Sequence, residues 1–156
     1  MFSKDIETMP IGLPEDELKV IEKALDYTFQ DDPELPYIAM HLPGTAEFPP
    51  GNTNLAQLGA TVIEVAVTYT AYDTGTSYKP LRVPPSISIQ AKIASIGFEI
   101  GLGRYVYTKD RRGGNISEAS MASVVKALIG AVYVDSEENM RKVQDLLQGL
   151  GIYDAD

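Results

Sequence analysis

The stretch that most constrains the fold is the segment 52–67, NTNLAQLGATVIEVAV. It follows a Pro-Pro-Gly break, and Asn52 is a favourable residue for the N-cap of a helix. The apolar residues recur at helical spacing and broaden into a nearly all-apolar end, which predicts a buried central helix over 52–72. The opposite face carries no charge and consists of Thr53, Asn54, Ala56, Gln57, Ala60 and Thr61. Such a face indicates close packing, a partner surface, or a site without its original chemistry.

The composition excludes several classes of site. With no cysteine, the 156-residue chain has no disulfide, no thiol catalysis and no cysteine-based zinc site. His41 is the single histidine, so a metal centre with several histidines is excluded, and we expect no metal or cofactor. The net charge of −9 would repel a polyanion, so direct RNA binding is expected to be weak or absent. No apolar run reaches the roughly 18 residues that a membrane span needs.

One local basic segment stands against the acidic background. The loop 109–115, KDRRGGN, contains Lys109, Arg111 and Arg112 beside two glycines. These three side chains are either solvated or contact RNA phosphates or an acidic partner.

The rest of the chain also reads as helical. Residues 1–14 form an irregular arm with three breakers, and they resemble neither a signal peptide nor an Arg-rich transit peptide. The absence of cysteine fits an intracellular protein. Amphipathic spacing and end signals predict further helices over 15–29, 33–42, 84 or 85 to 100, 117–134 and 137–148. Gly97 and Gly101 are expected to interrupt or end the helix that begins at 84 or 85, Ser117 is the expected cap of the next helix, and Ser136 is the expected cap of the last one. Since no strand-like alternation persists, the sequence predicts an all-α fold with a single domain over 15–156.

Two segments resemble a known family. The segment 127–135, ALIGAVYVD, resembles the ALIGA-[IV]-Y-[LV]-D end of the ribonuclease III catalytic domain, and 52–63 resembles its signature helix, NERLEFLGDSVL. The segments 18–29, 38–41 and 87–105 resemble other parts of that domain in the same order, so the likeness covers about 15–147. The resemblance implies the all-helical bundle of the ribonuclease III endonuclease domain. A double-stranded-RNA-binding domain, which usually follows it, is not expected here.

The resemblance also implies where a nuclease site would lie. In this family two Mg²⁺ ions are held by acidic side chains from the signature helix and from the ALIGA helix. Carried over residue by residue, these acids are replaced by Thr53, Ala56, Ala60, Ser123 and Lys126. Hydroxyls are weak neutral ligands, alanine is none, and lysine brings a positive charge. The predicted protein is therefore a pseudoenzyme with no catalytic residues.

Assembly is the next implication. The family dimerises through its signature helix, and an aromatic side chain of that helix inserts into the partner. Gln57 takes that position here, so the usual contact is altered. The candidate interface residues are Leu55, Gln57, Leu58 and Thr61.

Three functions remain open. The first is a non-catalytic module that forms a homodimer, pairs with a related domain, or docks on a ribonucleoprotein. It would be similar to the degenerate domains of fungal mitochondrial large-subunit ribosomal proteins and would lie in the mitochondrion or cytoplasm, not at a membrane. The second is a Mg²⁺-dependent double-stranded-RNA endonuclease with displaced ligands, Glu64 and Glu99. The third is a small-molecule pocket lined by Thr53, Gln57, Ser123, Lys126 and His41.

Several single residues have simpler interpretations. His41 is expected to be a partly buried structural histidine with its hydrogen bonds satisfied, and Asp135 to cap the final helix region. Tyr69, Tyr72 and Tyr78 are expected in the core, in an interface or at the edge of a pocket.

Overall fold

The regular elements are all helices. The computed structural model describes residues 12–75, 89–109 and 112–152, and it contains α1 Glu15–Leu25, α2 Glu34–Ala39, α3 Thr53–Thr74, α4 Ile89–Glu99, α5 Glu118–Asp135, α6 Met140–Gly149 and a short 3₁₀ turn, Leu102–Tyr105. The predicted all-α class is confirmed. Arg111, Tyr78 and the arm up to residue 11 lie outside the described residues. No described helix is long and apolar enough to pass through a bilayer.

Helix α5 is the centre of the fold. It packs against α2, α3, α4 and α6, and its residues from Ala127 to Val132 are fully buried. A helix that is apolar on all sides can be stable only when neighbours cover every side. The near-continuous apolar run in this part of the sequence therefore indicates that α5 lies at the centre of the fold.

The crossing of α3 and α5 depends on two glycines. A Cβ atom on Gly59 would lie 1.8 Å from the carbonyl oxygen of Lys126, and one on Gly130 would lie 2.5 Å from that of Leu55. The two backbones are so close that no larger residue fits at either position. This contact fixes how the two helices align.

Helix α1 is shorter than predicted. It ends at Leu25, well before residue 29, and Asp26 adopts a left-handed conformation with φ of +52°. The amide of Tyr27 donates to the carbonyl of Glu22 at 3.1 Å, and the amide of Phe29 donates to the Glu22 carboxylate at 2.8 Å. The polar groups after Leu25 thus have partners that a continued helix would not provide.

Helix α2 also ends early, at Ala39 and not at residue 42. The amide of Tyr107 donates to the carbonyl of Met40 at 2.8 Å, and the amide of Leu42 donates to the carbonyl of Tyr107 at 3.0 Å. His41 thus forms a bridge with Tyr107, and Tyr107 forms a second bridge with Arg112 on its other side. Pairing with a distant segment outweighs continuation of the helix.

The remaining helix ends divide into confirmed and wrong predictions. Gly101, with φ of +81°, follows the end of α4, and the Ser117 hydroxyl caps α5 by accepting from the amide of Ser120 at 3.1 Å. The predicted cap of the last helix at Ser136 is wrong. Asn139 caps α6, accepting from the amide of Lys142 at 3.2 Å, because positive φ angles at residues 137 and 138 delay the helix. The predicted start of α4 at 84 or 85 lies outside the described residues.

Candidate functional site

A cleft of about 260 Å³ lies where the first turns of α3 and α5 meet. It is lined by Leu42, Pro43, Asn52, Thr53, Ala56, Ala119, Ser120 and Ser123. The fold therefore brings together Thr53, Ala56 and Ser123, three of the five positions that the family resemblance assigns to metal-binding acids. Ala60 and Lys126 follow about one turn further along α3 and α5, are partly buried, and do not line the cleft.

The donors in this cleft do not fit a magnesium ion. Mg²⁺ is held in proteins by carboxylates together with water or phosphate oxygens. Thr53 offers an exposed hydroxyl, Ser123 a half-buried one, and Ala56 only a buried methyl group. In the described part of the chain, no three side chains of His, Cys, Asp or Glu are grouped so that they could hold a metal ion.

Asn52 forms part of the cleft wall. It occupies the N-cap position of α3, as predicted, but its side chain makes no capping hydrogen bond. The side-chain amide donates instead to the carbonyl of Ala39 at 2.9 Å, and the main-chain amide donates to the carbonyl of His41 at 2.9 Å. Asn52 is buried and ties the end of α2 to the start of α3.

His41 lies behind the cleft and not in it. Its side chain is fully buried, and its ring stacks on Tyr107 with centroids 4.1 Å apart and an interplanar angle of 8°. Nδ1 lies 2.7 Å from the carbonyl oxygen of Tyr37, whereas Nε2 has no hydrogen-bond partner in the described part of the chain. Burial lowers the pKa of His41, and the nearby Arg112 lowers it further, while the Tyr37 carbonyl and Glu47 raise it. The net result is a pKa below the ordinary value, so the imidazole is neutral near pH 7.

The geometry thus agrees only in part with the hypothesis of a small-molecule pocket lined by five residues. Thr53 and Ser123 line the cleft, but Gln57, Lys126 and His41 do not.

The basic loop is partly engaged within the chain. The Arg112 guanidinium pairs with the carboxylate of Glu17, donates to the carbonyl of Tyr105 at 3.1 Å, and lies 4.0 Å from the centre of the Tyr107 ring. Lys109 is exposed, and Arg111 lies outside the described residues. A contact of this loop with RNA or a partner stays a prediction, although Arg112 already has partners in its own fold.

The outer face of α3 carries an exposed stripe. It consists of Thr61, Glu64, Val65, Thr68, Tyr69 and Tyr72, which line a groove of about 630 Å³, and we call it the tyrosine stripe. Tyr72 is 81% exposed, and its ring centroid lies 6.3 Å from that of Tyr69. Of the interface candidates, Gln57 and Thr61 are exposed on this helix, while Leu55 and Leu58 pack partly against the core.

Sequence reasoning missed the role of Asp135. This buried carboxylate accepts from the Tyr27 hydroxyl at 2.7 Å and from the amides of Gln30 at 2.9 Å, Asp31 at 3.0 Å and Asp32 at 3.0 Å. It therefore holds the α1–α2 connection, and its predicted role as a cap of the final helix is wrong. Burial raises the pKa of Asp135, but the hydrogen bonds lower it by more and leave it below its usual value.

Comparison with known proteins adds to this geometry. No family model matches the chain. It is similar to "Ribonuclease 3" of Shewanella sediminis (28% identical over 120 residues, 73% of this chain and 52% of the relative). It is also similar to "Ribonuclease 3" of Thermobifida fusca (32% over 92 residues, 55% of this chain and 38% of the relative) and of Buchnera aphidicola (28% over 138 residues, 83% and 58%). The chain spans about half the length of the curated relatives it matches.

These similarities support a ribonuclease III-like family, and the all-helical fold is consistent with the helical endonuclease domain of that family.

Proposed function

From this similarity to ribonuclease 3 proteins, we propose that the chain is a ribonuclease III-like domain that does not cleave RNA and serves as an assembly module. The observation that carries the proposal is the neutral cleft. Metal-assisted hydrolysis of a phosphodiester needs closely held carboxylates. Thr53 and Ser123 supply only hydroxyls, Ala56 supplies a methyl group, and Lys126 places a positive charge about one turn further along α5.

Glu64 and Glu99 are poorly placed to act as displaced metal ligands. Glu64 lines the groove of the tyrosine stripe and not the cleft, and Glu99 is exposed at the end of α4. Neither carboxylate is part of a group of acids or histidines, within the described ranges, that could hold a metal. The alternative of a Mg²⁺-dependent double-stranded-RNA endonuclease therefore requires ligands that approach only when substrate binds.

The tyrosine stripe is the surface best suited to assembly. Exposed aromatic and aliphatic side chains on one helix face are typical of protein–protein contacts. Gln57 lies four residues before Thr61, so the stripe continues the helix face to which the family resemblance assigns the dimer contact. The single charged side chain among its lining residues is Glu64.

The partner that we propose is a second copy of the chain or a related domain. Docking on a ribonucleoprotein, such as a mitochondrial ribosome, is the variant of this function in which other proteins supply the RNA contacts. The net charge of −9 makes direct RNA binding weak. The proposed location is the mitochondrion or the cytoplasm.

Light scattering at high micromolar concentration tests the assembly surface. Val65 and Val20 are exposed to similar extents, 48% and 42%, on different helices, so Val65→Glu and Val20→Glu form a matched pair. We expect a dimer for the wild type and for Val20→Glu, and a monomer for Val65→Glu, because a carboxylate in the stripe must be desolvated on contact.

Affinity purification from the source cells, followed by mass spectrometry, extends the same pair of variants to partners other than self. A wild-type monomer whose captured proteins do not change with Val65→Glu would contradict the proposed assembly function.

A further inference from the structure

His41 lies beneath a closed surface loop. The 43–51 loop begins two residues after His41 and ends directly before Asn52, whose main-chain amide donates to the His41 carbonyl at 2.9 Å. Two more hydrogen bonds close the loop on itself, from Gly44 to the Pro49 carbonyl at 2.9 Å and from Gly51 to the Phe48 carbonyl at 3.0 Å. The ring of Phe48 lies edge-on to the imidazole with centroids 6.4 Å apart.

A second N–H group on the imidazole would have no hydrogen-bond acceptor among the described residues. Its Nδ1 lies at donor distance from the Tyr37 carbonyl, so the neutral ring carries its proton there and leaves a lone pair on Nε2. Nε2 is buried and has no hydrogen-bond partner among the residues that the structure describes. Protonation would place a charged N–H group among Tyr37, Phe48 and Tyr107, where no carboxylate or carbonyl of the described residues lies within hydrogen-bond distance of Nε2.

The charges around His41 are few. Glu47 on the 43–51 loop favours the protonated ring, whereas Arg112, next to Tyr107 in the bridge, disfavours it. The remaining titratable neighbours are Tyr37 on α2 and Tyr107, whose pKa values are both raised, first by burial, so both are neutral near pH 7. Burial is the largest influence on the pKa of His41 and lowers it.

The elements beneath the ring are more deeply buried than the loop above it. Met40 and Val106, which flank His41 and Tyr107 in sequence, are fully buried in the core. In contrast, most residues of the 43–51 loop are exposed, although Thr45 and Gly51 are buried. Hydration of a protonated Nε2 therefore requires the loop to lift.

We propose that His41 is a proton-operated latch: when its imidazole takes a second proton from solvent, the 43–51 loop opens and reshapes the cleft at the start of α3. Leu42, Pro43 and Asn52, which join this loop to the rest of the fold, all line that cleft. The latch is closed at neutral pH and opens on acidification. It is independent of whether the domain dimerises or cleaves RNA.

The sign of the pH effect follows from proton linkage. In the closed state His41 binds a proton less readily than an exposed histidine, whose ordinary pKa is 6.5. The open state therefore gains population as the pH falls below that value. For a single proton the ratio of open to closed changes by up to about tenfold per pH unit, until His41 also titrates in the closed state.

Nuclear magnetic resonance can follow the latch directly, because His41 is the single histidine and gives the single imidazole signal. We expect its midpoint below that of a histidine peptide. Over the same pH range, the hydrogen-exchange protection factors of the Asn52, Gly44 and Gly51 amides should fall together by up to about tenfold per unit. The protection factor of Leu150, bonded to Leu146 at 2.9 Å after α6, should stay constant.

Two variants separate the latch from general acid sensitivity. His41→Phe keeps an aromatic ring but cannot be protonated, so the loop amides should lose their pH dependence. Glu47→Gln changes an exposed side chain and removes the carboxylate that favours protonation, so both the imidazole titration and the loop opening should move to lower pH. Glu47→Gln keeps the test decisive if His41→Phe does not fold.

Three results would overturn the latch. One is a His41 titration without a change in loop protection, and another is the same pH dependence in His41→Phe. The third is a parallel loss of protection at Leu150, which would indicate global unfolding.

Discussion

Replacing Asp135 by Asn changes one buried carboxylate into an amide of nearly the same shape. In the wild type each carboxylate oxygen accepts two hydrogen bonds. Oδ2 accepts from Tyr27 and Gln30, and Oδ1 accepts from Asp31 and Asp32. The amide keeps one oxygen as an acceptor and turns its NH₂ group toward two donors. Two of the four hydrogen bonds are therefore lost whichever way the amide is oriented, and the other two are made to an uncharged oxygen.

The magnitude follows from the exposure of the donors. A hydrogen bond to a charged group contributes about 1.5–3 kcal/mol net. Because Gln30 and Asp31 are exposed residues, water can solvate their amides after the change, so the lower end of that range applies. Two lost bonds then reduce the free energy of unfolding by about 3 kcal/mol, which for a domain of this size lowers Tm by about 6–12 °C. Tyr27→Phe removes one bond to the carboxylate and should cost about 1.5 kcal/mol.

The pH dependence provides a second signature. Because the hydrogen bonds leave the pKa of Asp135 below its usual value, its contribution to stability is fully present above the unfolded-state pKa, about 4. That contribution is lost as the pH falls through the lowered pKa of the folded state. The difference between the wild type and Asp135→Asn should therefore narrow below about pH 4.

Urea unfolding at several pH values measures both effects. Asp73→Asn makes the same chemical change at an exposed position of α3 and should alter stability by less than about 0.5 kcal/mol. An Asp135→Asn protein as stable as this control at neutral pH, or one whose deficit persists unchanged into acid, would refute the assigned role of Asp135.

Two further substitutions test the packing and the basic loop. Gly59→Ala should destabilise the fold by about 3 kcal/mol in urea unfolding, because its Cβ would lie 1.8 Å from the Lys126 carbonyl oxygen and push α3 from α5. Gly149→Ala, with no atom within 4 Å of its Cβ, should be neutral, and equal effects would contradict the close crossing. Arg112→Ala should cost about 1 kcal/mol in thermal unfolding by removing its ion pair with Glu17 and its contact with Tyr107, whereas Lys109→Ala should have no effect. Weaker RNA binding in Arg112→Ala without lost stability would instead indicate an RNA contact.

The sequence predicts most helices because their signals are local. Apolar spacing located α3 and α5, and Gly101 and Ser117 marked ends that the structure confirms. The meeting of Thr53 with Ser123 could be anticipated only through the family resemblance, since it depends on the close crossing at Gly59 and Gly130. Periodicity within one helix carries no information about which helix lies opposite.

Two predictions about polar side chains fail because the partners of these side chains are distant in sequence. Asn52 and Asp135 were both assigned to helix caps, which is the usual local role of these residue types. In the fold, Asn52 binds the end of α2, and Asp135 binds the α1–α2 connection about 100 residues away. Burial made these remote bonds more favourable than local capping, and no pattern near either residue predicts that outcome.

The most direct test of a non-catalytic domain is an assay for cleavage of long double-stranded RNA with Mg²⁺ and then with Mn²⁺. The cleft formed by Thr53, Ala56 and Ser123 offers no carboxylate, so the purified chain is expected to leave the RNA intact with either metal. Clean metal-dependent cleavage, abolished by Glu64→Gln or Glu99→Gln, would contradict this expectation and establish a nuclease with displaced ligands.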